Sequence, residues 1–154
     1  MRSHQKLNVW IESMVLVKQL YTTTDNFPKE EIYGLTNQMR RAAVSIPSNI
    51  SEGAARNSKK EYLRFLYIAR GSLSELETQI LIAVDIGYIS KDTGLLQQIE
   101  KVFALLSGLI KSVGRREKVD VRSKNVRREM LDVRRKAKGC RPVSRLTSHD
   151  SFYF

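Results

Sequence analysis

The residue types that catalysis needs are scarce here and badly placed. The two histidines, His4 and His149, sit near opposite ends of the chain, and the single cysteine, Cys140, lies in the C-terminal stretch. A nucleophile works only with a base in hydrogen-bond reach, and the central region offers no Cys–His or Ser–His pair. A zinc site fails on the same inventory. A di-iron site on helices would need Glu-x-x-His pairs, and none occurs. Glu75 and Glu77 are two apart, so a helix would point them to different faces. Gly53 and Gly71 are isolated, so no glycine-rich phosphate loop is present. The expectation is a protein that is not an enzyme, with no metal, no cofactor and no small-molecule substrate.

The sharper pattern is basic. Arg40, Arg41, Arg56, Lys59, Lys60, Arg64 and Arg70 crowd the middle of the chain. Arg56, Lys60 and Arg64 are four apart, and would line one stripe if a helix reached back to Arg56. Such a stripe meets phosphates through salt-sensitive contacts to backbone rather than to base edges. The competing reading pairs these side chains with Glu52, Glu61, Glu75 and Glu77, on a solvated face or across a subunit interface. Arg41, Asn49 and Glu52 flank Pro47 and suit a polar network or a subunit contact. Tyr62, Phe65, Tyr67 and Phe103 fall at helical spacing and read first as core or interface, before base stacking.

Charge sharpens that choice. The formal net charge is +11, but from Lys111 onward the chain holds 14 Lys and Arg against 5 Asp and Glu. Residues 1–110 hold 13 against 11, so the body is almost neutral and a polyanion inferred from total charge is an inference about the tail. The start, MRSHQKLNVW, is amphipathic and unlike a signal peptide. No run approaches the roughly 20 apolar residues of a membrane helix. One cysteine fits a reducing cytoplasm.

The elements that must carry these residues are helices. Leu7, Trp10, Met14, Val17 and Tyr21 give a first helix over about Leu7 to Thr23 its apolar seam. Pro28-Lys29-Glu30-Glu31 starts a second, with Ile32, Leu35, Met39, Ala42 and Ile46 toward the core. Pro47 is expected to kink it, and Gly53 to end it. Ser58-Lys59-Lys60-Glu61 matches a capping box and opens a third helix, to about Ile86, with Gly87 as its C-terminal cap. Its seam is Tyr62, Leu66, Ala69, Leu73, Leu76 and Ile80. A fourth starts after Ser90, with Asp92 in its first turn and Leu95, Ile99, Val102, Leu106, Leu109 and Val113 along its seam. The fold class is therefore all-α: an antiparallel up-down four-helix bundle over residues 1–113, with a basic C-terminal extension over 114–154. In that extension Val119, Val126, Met130, Val133 and Ala137 suit a helix, whereas Gly139 to Phe154 has no periodicity and reads as disordered.

Longer strings carry more than periodicity. The run GLTNQMRRAAVSIPSNISEG from Gly34 to Gly53, the opening Leu7-Asn8-Val9-Trp10, the Phe27-to-Glu31 start and the run FLYIARGSLSELETQ from Phe65 to Gln79 resemble one family. It is that of the four-helix-bundle proteins encoded in intervening sequences of bacterial 23S rRNA genes. The resemblance covers about residues 7–113. It implies an antiparallel bundle that assembles into a barrel-like homopentamer and associates with nucleic acid. Related accessory proteins of diversity-generating retroelements are similar basic pentamers that bind nucleic acid and a reverse transcriptase. The family's signature positions fall here on Arg41, Ser45, Pro47, Asn49, Glu52, Gly53, Gly71, Ser72, Glu75 and Glu77, as motif or interface residues. Residues 114–154 match nothing in that pattern. The expected function is a cytoplasmic homo-oligomer that binds RNA or DNA through phosphate contacts. The alternative is a protein-interaction scaffold whose charges pair at subunit interfaces.

Overall fold

The computed structural model describes residues 2–91 and 93–139. Among these residues every regular element is helical: α1 (Asn8–Thr24), α2 (Leu35–Ala54), α3 (Lys59–Asp85) and α4 (Leu95–Gly139), with 3₁₀ turns at Ser3–Lys6 and Lys29–Ile32. The chain divides into two compact units, Met1–Glu117 and Lys118–Phe154.

In the first unit all four helices feed one core. Leu16 and Leu20 of α1, Met39, Ile46 and Ile50 of α2, Leu66, Leu73, Leu76 and Ile80 of α3, and Leu95, Ile99 and Leu106 of α4 are fully buried. Each such side chain is worth about 1.5–3 kcal/mol of apolar burial. The expected seams of α2 from Met39 and of α3 from Leu66 are the buried ones. The seam of α4 holds as well, except that Ile110 is buried where Leu109 is only partly so.

The third helix ends as its local signal requires and begins on the Ser58 half of the expected capping box. The Ser58 hydroxyl accepts from the Glu61 N–H at 3.5 Å. At the other end Gly87 has φ +83°, its N–H donates to Val84 O, and the Tyr88 N–H donates to Ala83 O at 2.8 Å. Those two bonds make a Schellman cap, whose left-handed residue is glycine for lack of a Cβ.

Four expectations change. The core face of α1 is Val9, Ser13, Leu16 and Leu20. Leu7, Trp10 and Val17 are only partly covered, and Met14 and Tyr21 are 43% and 40% exposed. Helix α1 carries two apolar stripes, and periodicity alone does not rank them. The Ser13 hydroxyl tolerates the core because it donates to Val9 O at 2.6 Å. Second, Lys29–Ile32 is a separate turn, and the Glu31 carboxylate accepts from the Leu35 N–H at 2.8 Å, satisfying the start of α2 from outside it. Ile32 is consequently 56% exposed.

Third, α2 ends at Ala54, one residue past Gly53, after continuing through Pro47 as expected. Pro47 offers no N–H to its turn, but the Ser48 hydroxyl donates to Val44 O and the Asn49 amide to Ser45 O, each at 2.8 Å. Gly53 is buried inside the helix, where α2 and α3 approach. A Cβ there would stand 2.8 Å from Phe65 Cβ and from the Tyr62 ring. Fourth, α4 begins at Leu95, after Gly94 at φ +70°, later than Ser90 suggested. Asp92 lies outside the described residues.

In the second unit the described residues, to Gly139, are helical. Val119, Val126 and Met130, from the expected stripe, are exposed. So are Arg122, Lys124, Arg127 and Arg128. The expectation of disorder beyond Gly139 lies outside the described residues.

Candidate nucleic-acid interface

The seven central basic residues do not form one patch. Arg40 is spent on structure: its Nε donates to Thr24 Oγ1 at 2.9 Å and its Nη2 to Asp25 at 2.7 Å. Its guanidinium also sits 4.6 Å from the Tyr21 ring centroid. Arg56 falls in the connection after α2, not on α3, so the continuous stripe with Lys60 and Arg64 does not form. It pairs with Glu52 and stacks on Phe65. Arg70 lies over the Tyr67 ring at 4.9 Å. Lys59, the first residue of α3, is engaged too.

Three remain open. Arg41, Lys60 and Arg64 are exposed, with no ion pair among the described residues. Lys60 and Arg64 are one turn apart on α3 and line an open groove with Leu63, Tyr67 and Ile68; Glu61 is its one carboxylate. Arg41 lines a different groove, with Tyr21, Asn37 and Val44, between α1 and α2. Each open cation therefore has an aromatic ring in its own groove.

Several of the expected motif residues make contacts within the chain. The Ser45 and Ser72 hydroxyls share a 2.8 Å hydrogen bond between α2 and α3, and the Asn49 amide reaches the Ser45 hydroxyl at 2.9 Å. With Gly53 against Tyr62 and Phe65, these residues let the two helices pack closely. Pro47 is buried in the same helix. Glu75 is exposed and accepts from Gln79 at 3.0 Å, whereas Gly71 meets nothing within 4 Å of its would-be Cβ. Glu77 is half-buried on α3.

One tie was not legible in the sequence. Glu12 of α1 accepts from Gln98 at 2.8 Å and from Lys101 at 2.8 Å, joining α1 to the first turns of α4. The Lys101 bond, then the Gln98 bond, hold its carboxyl below the usual 4.5. Burial pushes the Tyr62 phenol up; burial and then the Glu31 carboxylate do the same for Tyr88. Partners more than 80 residues apart leave no local pattern to read.

Among the described residues no three His, Cys, Asp or Glu side chains could hold a metal, and no helix is long and apolar enough to cross a membrane.

The class that emerges is an all-helical protein whose first unit packs four helices on one core and leaves cations open in two grooves. The chain belongs to the family described as 23S rRNA-intervening sequence protein, whose profile matches residues 5–108. A solved structure from Bacteroides thetaiotaomicron, a protein of unknown function from the S23 ribosomal protein family, is similar in fold. Its TM-score is 0.61 at 21% identity, over 67% of this chain and 98% of that one. No curated protein matches.

Proposed function

We propose that this is a non-enzymatic, cytoplasmic, homo-oligomeric antiparallel four-helix bundle that associates with RNA or DNA through phosphate contacts. The observation that carries the reading is the exposure of Arg41, Lys60 and Arg64 without acidic partners, on a body whose other central cations are paired or stacked. A guanidinium or ammonium left open on a rigid helix suits a phosphate, and membership of a family named for an rRNA intervening sequence accords with it. The extension adds Arg122, Lys124, Arg127 and Arg128 as a second source of phosphate contacts.

A second reading, a protein scaffold, is favoured by apolar residues on the outer faces. Ile11, Met14 and Val15 of α1 and Leu81 and Ile82 of α3 are all at least 40% exposed. Faces of that kind suit further copies of the chain.

The test is binding of RNA and DNA against salt, on the full chain and on two variants. One replaces Arg41, Lys60 and Arg64 by Gln; the other replaces Arg122, Lys124, Arg127 and Arg128 by Gln. Phosphate contacts predict affinity that falls steeply with salt, with a shallower slope in whichever variant removes the contacts. Affinity weaker than about 100 μM for every nucleic acid would leave the scaffold reading in its place.

A further inference from the structure

The groove on α3 contains more than phosphate contacts need. Tyr67 is 49% exposed in it, with Leu63 and Ile68 beside it. Lys60, Arg64 and Tyr67 follow one another at steps of four and three, so they share one face of the helix. At 1.5 Å per residue they span about 10 Å along the axis. The Arg70 guanidinium lies 4.9 Å from the Tyr67 ring centroid and steadies that ring. One turn further, Gly71 leaves the backbone bare, with nothing within 4 Å of a would-be Cβ.

We infer that this groove is a single-strand subsite, in which Lys60 and Arg64 hold phosphates and one unpaired base stacks on Tyr67. The inference rests on the nucleic-acid reading above and narrows it to a class of strand. An aromatic ring held half-open beside two unpaired cations offers both parts that an unpaired strand presents, a base face and a phosphate. A duplex hides its base faces in its own stack and would use only the cations. The charges argue for a strand over a second protein copy here. Glu61 is the groove's single carboxylate, against Lys60 and Arg64 in the groove and Arg70 beside the ring. A docking copy would have to bring acid to match.

The experiment uses the full chain with three 12-mer probes across one series of salt concentrations: oligo(dT), the same backbone with abasic sites, and a duplex. Wild type should bind oligo(dT) more tightly than the abasic strand. Tyr67→Leu, which keeps an apolar side chain, should lose about 5- to 150-fold on oligo(dT). It should bind the abasic strand and the duplex as wild type does, and Tyr67→Phe should restore oligo(dT) binding. The subsite is overturned, with the phosphate reading intact, if oligo(dT) and the abasic strand bind wild type equally and salt-sensitively. If no probe binds, both readings fall. If Tyr67→Leu changes the oligomeric state while oligo(dT) affinity holds, the groove is a subunit contact and the subsite is overturned.

Discussion

Gly53 of α2 lies so close to Phe65 of α3 that a Cβ on the glycine would stand 2.8 Å from the Phe65 Cβ. Neither atom is the free end of a flexible chain, so only the helix axes can give way. Gly53→Ala should therefore destabilise by about 1–3 kcal/mol, despite the helix propensity that alanine adds. Gly71→Ala is the control of opposite sign. Its Cβ meets nothing, so the helix should gain about 0.5–1 kcal/mol. Thermal unfolding of both variants checks the pair. A loss of stability or of assembly at Gly71→Ala would show that another copy packs there.

Arg40 and Arg41 are neighbours with different work. Arg40→Ala forfeits the Asp25 pair, the Thr24 hydrogen bond and the Tyr21 stack, and should cost about 1–2 kcal/mol in denaturant unfolding. Arg41→Ala breaks no ion pair and should leave stability within about 0.5 kcal/mol while weakening RNA binding. The reverse result would remove Arg41 from the phosphate set.

Thr36 buries its hydroxyl on α2 with no hydrogen-bond partner among the described residues. An unpaired buried hydroxyl costs about 1–3 kcal/mol, so Thr36→Val should raise the unfolding midpoint. A lowered midpoint would mean that a water or a second chain reaches the hydroxyl in solution.

Glu12 gives the fold an acid-sensitive tie. Its folded carboxyl titrates below 4.5 because Lys101 and Gln98 hold the charged form. The stabilisation is present above 4.5 and is lost as pH falls through the lower folded value. Wild type should thus be more stable than Glu12→Gln near neutral pH, with the gap closing on acidification below 4.5. A gap that does not change with pH would show that the carboxylate's charge contributes nothing.

The sequence was most legible where local chemistry and apolar period agree. Ser58, Gly87 and the run from Leu66 to Ile80 place α3 almost to the residue. It was least legible where two stripes compete, as on α1, whose Met14 and Tyr21 have the right spacing and are exposed. Gly53 misled because glycine both ends helices and lets them touch, and only the partner, Phe65, distinguishes these roles. Of the basic set, the side-chain types were readable and their engagements were not. Arg40 and Arg41 look alike until Asp25 comes into view from the end of α1.

The four-residue connection between α2 and α3 has a kinetic consequence. Closing so short a loop costs little chain entropy, and it brings Gly53 to Phe65 and then Ser45 to Ser72. That hairpin should be formed early, in the folding transition state, while the tie from Glu12 to Gln98 and Lys101 closes late. Substitutions at Ser45 or Ser72 should then slow folding, and substitutions at Glu12 should mainly speed unfolding.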